Sequence, residues 1–365
     1  MTMSKHTDPQ TPRVAFFSDS LPERNGTGAY YFDLIGQLKS TLPKIHIFQP
    51  KRNVRINWLS IPMPGDPSQR LITPDIFRIH RGFNELKPTI IVSVTPGPFG
   101  ILGYLYAKKY KLRFITAFHT DFEKLAKIYW NPLFGSFANL YLRTINTLFC
   151  KNAEFTLVHN SKLVPQIKAL GARLYKIMGT PLPSFCLNKA IEPMPNPFKQ
   201  VCFAGRLAAE KNVDQIIEAA KHFETIQFVI VGEGPLKKEL KHSAKSLKNV
   251  IFKGWLRRDA LVDIVDQSNC LLLPSKFETF GSVAFEAMSR GRPTIVSVNS
   301  GIIEWDCLKE PILVLDNSTR LIDLIQRLYN ESNEDRIARG DQSRIAALAF
   351  NEMTLDQWRQ LLESL

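Results

Sequence analysis

Two carboxylates eight residues apart, Glu278 and Glu286, stand in LLLPSKFETFGSVAFEAMSRGRPTIVS, which reads as a buried strand, a short loop, a helix and a second strand. If helical rise held across that interval, the two would lie about 12 Å apart along the axis. Carboxyl pairs that cleave a glycosidic bond stand roughly 5 to 9.5 Å apart. The spacing therefore points away from a glycosidase and toward two groups gripping different parts of an extended ligand. Ribose hydroxyls suit Glu286; simple capping or solvation of the helix is the alternative for both residues. Phe280 and Gly281 fall where the helix should begin, so their backbone N–H groups would face a phosphate or sugar oxygen, aided by the helix dipole.

A second strand, loop and helix, VCFAGRLAAEKNVDQIIEAA, carries Gly205, Arg206 and Lys211. A guanidinium suited to a bidentate grip and an ammonium acting as a point charge would together neutralise a diphosphate; ordinary surface exposure is the plainer reading. No Asp-x-Asp pair is available to hold a divalent ion against phosphates, so the expectation is a leaving group stabilised by fixed cations, with no metal and no cofactor. Glycines mark two further turns between strand and helix: Gly232 and Gly234 in FVIVGEGPLKKEL, and Gly26 and Gly28 in NGTGAYYFDLIGQL. Each is placed for close approach of backbone to a nucleotide or phosphate. His119, in RFITAFHTDFEKL, ends an apolar strand and could hydrogen-bond a sugar hydroxyl, a structural histidine being the alternative. No Ser-His-Asp or Cys-His arrangement and no zinc-ligand spacing is legible.

Short β-branched runs alternating with amphipathic segments position these residues, a pattern of parallel sheets covered by helices. Strands are predicted at VAFFSD, IHIFQP, IIVSV, RFITAF and FTLVH, then at VCFAG, FVIVG, VIFKG, CLLLP and PTIVS. Between the two series lies IEPMPNPFKQ, whose Pro193, Pro195 and Pro197 suit a hinge. The predicted domains are residues 1–188, 189–350 with the nucleotide site, and an amphipathic helix over 351–365 that needs a docking surface. Ligands of such sheets sit at the C-terminal ends of strands.

At 365 residues, with 44% hydrophobic and 22% charged residues, the chain supports two globular cores. Its five widely spaced cysteines predict reduced, structural thiols. The polar opening MTMSKHTDPQTPR predicts no signal peptide. The uncharged stretch 88–107 is interrupted by Pro96, Gly97, Pro98 and Gly100, so it reads as strand, loop and helix rather than a membrane span. The +13 charge is asymmetric: 24 Lys and Arg against 10 Asp and Glu up to residue 185, and 23 against 24 beyond it. The basic half favours an anionic partner, a lipid surface or nucleic acid, or is a solvated face. No RNA-binding motif or recognition helix accompanies it, so nucleic acid is not expected.

The segment SKFETFGSVAFEAMSRGRP resembles the E-x7-E segment of the retaining glycosyltransferases of family 4, GRLAAEKN resembles their diphosphate loop, and VGEGP, FKGWL and AFHTDF follow the family's pattern. The resemblance implies an α/β chain of the GT-B fold: two Rossmann-like doubly wound domains facing across a cleft, the N-terminal one binding the acceptor. It implies Arg206 and Lys211 at the diphosphate of a nucleotide-sugar donor, Glu286 at the ribose, Glu278 at the donor sugar, His119 at a sugar hydroxyl and the backbone around Gly254 at the base. The last helix would pack back on the N-terminal domain, and transfer would occur on one face of the sugar. The chain departs from the family in Gly26-Thr27-Gly28, where two adjacent glycines are common, and in KIMGTPLPSFCL, where a Gly-Val-Asp motif is usual. The ETFG and FHTDF forms look most like members that glycosylate membrane lipids. Lys124, Lys127, Trp130 and Arg143, with Arg113 and neighbouring aromatics, would form a peripheral helix at an anionic bilayer, and a core helix with a solvated face is the alternative. The expected setting is cytoplasmic, peripheral at the inner face of the membrane. A soluble sugar or polysaccharide acceptor, or a non-catalytic nucleotide-sugar-binding or nucleic-acid-binding role, are the competing functions.

Overall fold

Four-residue runs that are apolar at every position, such as VAFF and CLLL, are buried on both faces of a sheet, which requires helices on each side. A computed structural model describes residues 11–21, 26–50, 60–63, 66–119 and 132–365. The chain forms two units, Met1–Met178 with Thr354–Leu365, and Gly179–Met353.

The first unit runs β1 (Val14–Phe17), α1 (Gly26–Leu38), β2 (Ile45–Phe48), β3 (Ser60–Met63), β4 (Asp66–Ile72), α2 (Ile76–Leu86), β5 (Ile90–Ser93), α3 (Pro98–Tyr110), β6 (Arg113–Ala117), α4 (Pro132–Asn152), β7 (Phe155–Val158), α5 (Val164–Ala169) and β8 (Tyr175–Ile177). Six strands form a parallel sheet in the order β2-β1-β5-β6-β7-β8, with Val14 opposite Ile45 on one side and Ile90 on the other. The antiparallel pair β3-β4 stands apart from it. Its runs SIPM and DPSQRLI contain prolines and lack clean alternation, so no strand was expected there. Successive residues of β1 point to opposite faces. Phe16 packs with Tyr31 and Leu34 of α1 and with Trp358, Leu361 and Leu362, whereas Phe17 packs with Phe83, Tyr104 and Phe149 from α2, α3 and α4.

The second unit runs α6 (Ser184–Asn188), β9 (Gln200–Ala204), α7 (Asp214–His222), β10 (Gln227–Val231), α8 (Lys237–Ser243), β11 (Val250–Gly254), α9 (Arg258–Asp266), β12 (Cys270–Leu273), α10 (Ser282–Ser289), β13 (Thr294–Ser297), α11 (Asp306–Lys309), β14 (Leu313–Leu315) and α12 (Leu321–Asn330). Its parallel sheet has the order β11-β10-β9-β12-β13-β14, the 3-2-1-4-5-6 winding of dinucleotide-binding domains. A 31-residue helix, α13 (Asn333–Glu363), starts in this unit, and its residues from Thr354 onward belong to the first. The amphipathic stretch expected at 351–365 is the end of that helix.

The division between units falls at 178/179 rather than 188/189, so the proline-rich stretch lies inside the second unit. Arg290 and Arg292, both almost fully buried, tie it into the second unit. Arg290 makes a two-pronged ion pair with Asp266, at 2.9 and 2.7 Å, and donates to the carbonyls of Cys186, Lys189 and Ala190. Arg292 donates to the carbonyls of Glu192, Pro193 and Asp266 at 2.9, 3.1 and 2.7 Å. Buried guanidinium groups require such partners, because an unpaired charge there is strongly destabilising.

Candidate active site

In a 3-2-1-4-5-6 sheet the winding reverses between the first and fourth strands, here β9 and β12, and their C-terminal ends leave a crevice for a ligand. Gly205 and the half-buried Arg206 follow β9, and Lys211 ends a short 3-10 turn, Ala209–Lys211. Across from them, Ser275 and Glu278 follow β12. Lys211 Nζ pairs directly with Glu278 Oε2, and the Ser275 hydroxyl reaches the same oxygen at 3.4 Å. The two loops are braced by Asn212 Nδ2 donating to Pro274 O at 3.2 Å and Lys276 N to Glu210 O at 2.8 Å. The direct pairing of Lys211 with Glu278 was not foreseen, since 67 residues separate them.

Glu278 does not share a helix with Glu286. It forms a parallel bridge with Ser300, and α10 begins only at Ser282, so the helical-rise estimate of their separation does not apply. Gly281 caps the helix at φ +107°, a conformation that favours glycine, and no side chain caps the N-terminus. The Phe280 ring faces the core, 5.6 Å from Phe285 and 5.9 Å from Phe350 between centroids. Its buried ring fixes where the preceding loop ends. Glu286 is 8% exposed within α10, and its Oε1 accepts from Arg258 Nη2 at 2.8 Å.

The remaining glycines of this unit let neighbouring loops touch. A Cβ on Gly232, at φ +142°, would lie 1.8 Å from Gly205 O, and one on Gly234 would lie 2.3 Å from Leu207 O. Glycine is therefore required at both positions by the neighbouring backbone of the β9 loop. Gly254 sits at φ +71°, where a side chain is strained, and its carbonyl accepts from Gly232 N at 2.8 Å. In the first unit, Gly26 and Gly28 do not precede α1 but form its first turn, and a Cβ on Gly26 would meet nothing within 4 Å.

His119 follows β6 among rings rather than charges. Its Nε2 lies 2.8 Å from Tyr31 Oη, and its ring stacks on His159 at 4.3 Å. Burial and the neighbouring imidazole hold its pKa well below the ordinary range, so the ring is neutral. His119 Nδ1 is buried with no hydrogen-bond partner among the described residues. His159, which sequence reasoning missed, follows β7; its Nδ1–H donates to Met178 O at 3.2 Å, and burial lowers its pKa to about 4. Trp358 Nε1 donates to Tyr30 Oη at 2.8 Å, and Tyr30 packs on His159 at 4.6 Å.

Asp19, past the end of β1, was also missed. It accepts from the Thr95 hydroxyl at 2.5 Å and from the backbone N–H groups of Phe99 and Gly100 at 2.9 and 3.4 Å, at the start of α3. Burial raises its pKa against those hydrogen bonds. Lys124, Lys127 and Trp130 lie outside the described residues. Arg143 is exposed on α4, whereas Arg113 opens β6 and pairs with Glu154 at 3.3 Å rather than lying on a helix. Among the described residues, no helix is long and apolar enough to cross a membrane, and no group of three or more His, Cys, Asp or Glu is placed to hold a metal ion.

Residues 187–343 match the family described as "Glycosyl transferases group 1". One relative, the GDP-mannose-dependent alpha-(1-6)-phosphatidylinositol dimannoside mannosyltransferase of Mycobacterium tuberculosis, is 34% identical over 105 residues, 27% of each chain. The matched stretches span only 27 to 29% of the first curated relatives' own length. Among solved structures, sucrose-phosphate synthase from Thermosynechococcus elongatus superposes with a TM-score of 0.72 at 17% identity, over 96% of this chain and 98% of that one. The HepE protein of Anabaena in complex with UDP-glucose does so with a TM-score of 0.65 at 17% identity, over 96% and 99%. The chain has the GT-B fold, and its residues 187–343 are similar to the glycosyl transferases of group 1.

Proposed function

We propose that this protein transfers a hexose from a nucleotide sugar to an acceptor with retention at the anomeric carbon and without a metal ion. The observation that carries the reading is the direct contact of Lys211 with Glu278 beside Arg206, at the point where the winding of the second sheet reverses. Arg206, Lys211 and the uncapped start of α10 supply positive charge for a diphosphate. Glu278 takes hydrogen bonds from the sugar while Lys211 is shared between carboxylate and phosphate. Glu286 receives the ribose hydroxyls, and the neutral His119 offers Nδ1 to a sugar hydroxyl. As the bond from the anomeric carbon to the phosphate oxygen breaks, the acceptor oxygen bonds to that carbon from the same face. Its proton passes to the departing phosphate, so no protein nucleophile is required.

A lipid acceptor is favoured by the outer surface of α2 and α3. These helices pack together through Phe83 and Tyr106, whose rings stack at 4.5 Å. They expose Ile76, Phe77 and Leu105, with Phe77 at 90%, beside the exposed Arg78, Arg81, Lys108 and Lys109. Apolar and basic side chains together suit an anionic bilayer. The relative that mannosylates phosphatidylinositol dimannoside and the UDP-glucose complex of HepE support the acceptor and donor classes.

Incubation with UDP- and GDP-hexoses and membrane lipid, followed by NMR of the product, tests the chemistry: the donor's anomeric configuration is expected in the product, unaffected by EDTA. An inverted product overturns retention, and EDTA inhibition reversed by a divalent ion overturns metal independence. Cosedimentation with anionic vesicles should weaken as salt rises; equal binding to neutral vesicles would favour a soluble acceptor.

A further inference from the structure

Three helices of the second unit meet at the Glu286 carboxylate. Glu286 projects from the middle of α10, its side chain only 10% exposed. Arg258, the first residue of α9, reaches it with one guanidinium nitrogen, 2.8 Å from Oε1. The same guanidinium lies over the Phe185 ring of α6, 5.2 Å from its centroid. Beside Phe185, the Cys186 thiol is pushed up by burial and then by the charge of Glu286.

From this arrangement we infer that Arg258 is a positioning residue that aims Glu286 at the ribose of the donor and so sets the preference for a ribonucleotide. The inference rests on the donor-site reading above and goes beyond it by naming what orients the ribose contact. A glutamate has three side-chain torsions, and accepting from a vicinal diol requires one orientation of its carboxylate. A single nitrogen-to-oxygen contact fixes that orientation and balances the charge, while Oε2 stays outside the hydrogen bond. A two-pronged grip, as Arg290 makes on Asp266, would occupy both oxygens. The Phe185 ring fixes the guanidinium in turn, so the aim of the carboxylate is set before a ligand arrives. Lysine at 258 would keep the charge but lose the planar fork and most of its stacking.

The test is calorimetric binding of UDP, GDP and their 2′-deoxy forms to the full chain and to Arg258→Met, Arg258→Lys and Glu286→Gln, with the melting temperature of each protein recorded. The chain should bind its preferred ribonucleotide at least about tenfold more tightly than the 2′-deoxy form, since a hydrogen bond to a charged group is at stake. In Arg258→Met and Glu286→Gln that ratio should fall to within about threefold of unity, with 2′-deoxynucleotide affinity falling less than that of the ribonucleotide. Arg258→Lys should fall between and serves as the readout if the Met variant does not fold. Equal weakening of both nucleotides with the ratio preserved would overturn the inference and leave Arg258 a structural ion pair, as would an unaltered chain without the preference. Binding of neither nucleotide by the unaltered chain would instead overturn the donor-site reading itself, and the inference with it.

Discussion

At the C-terminal ends of β9 and β12 the side chains that gather are charged and paired, Lys211 with Glu278, and Arg258 with Glu286 nearby. At the ends of β6 and β7 they are rings, His119 and His159 stacked between Tyr30 and Tyr31, with burial keeping both imidazoles neutral. Both units are six-stranded parallel sheets, yet their strand ends are furnished differently. The second unit is suited to stabilise charge that develops on a leaving group. The first is suited to orient hydroxyl groups by shape and single hydrogen bonds without competing for a phosphate. On the reading proposed above, the second unit holds the anionic donor and the first meets the acceptor.

The contrast can be broken at several points. Asp266→Ala, which strands the buried Arg290, should cost about 3 to 5 kcal/mol, read as a lower midpoint of chemical denaturation. A variant as stable as the parent would mean that the linker needs no such clamp. Lys211→Ala should lower turnover about 10²- to 10³-fold with the melting temperature nearly unchanged, because Glu278 is partly exposed and keeps the Ser275 hydroxyl. Full activity would remove Lys211 from the chemistry.

Acid should act on the first unit. His159 has its pKa lowered from 6.5 to about 4, so the unfolded chain takes up a proton that the folded one refuses. Stability is complete above about pH 6.5 and is lost as pH falls toward about 4. His159→Gln should flatten that stretch of the stability profile; an unchanged slope would assign it to other groups. The smallest effect belongs to Trp358→Phe, which removes the hydrogen bond to Tyr30 but keeps an aromatic ring. A loss of about 1 kcal/mol is expected from the bond, with some addition from the smaller ring, and a neutral result would leave Trp358 with packing alone.

How much was readable from residues alone differs between these regions. The second unit is transparent because its signals are local: CLLL and VCFA announce buried strands, while Gly205, Arg206 and Lys211 fall at a strand end whatever surrounds them. The first unit is opaque because its site residues depend on partners. His159 gives no signal in FTLVHN, and Asp19 in FFSDS looks like any loop acid until Thr95 and the start of α3 close over it. Gly232 and Gly234 were correctly placed at a turn, but only the structure shows that the backbone of the β9 loop fills the space beside them.

The sequence by itself determined the alternation of strands and helices, the loops that follow β9 and β12, and the charge imbalance of the two halves. These depend on residue type and on spacing within one or two turns of chain. Only the tertiary structure decided that Lys211 meets Glu278 across 67 residues, that Arg258 holds Glu286 across 28, and that two buried arginines bind carbonyls in and just before the proline-rich stretch. Such pairings follow from strand order and helix docking, and a side chain's charge does not record which distant partner the fold will bring within hydrogen-bonding distance.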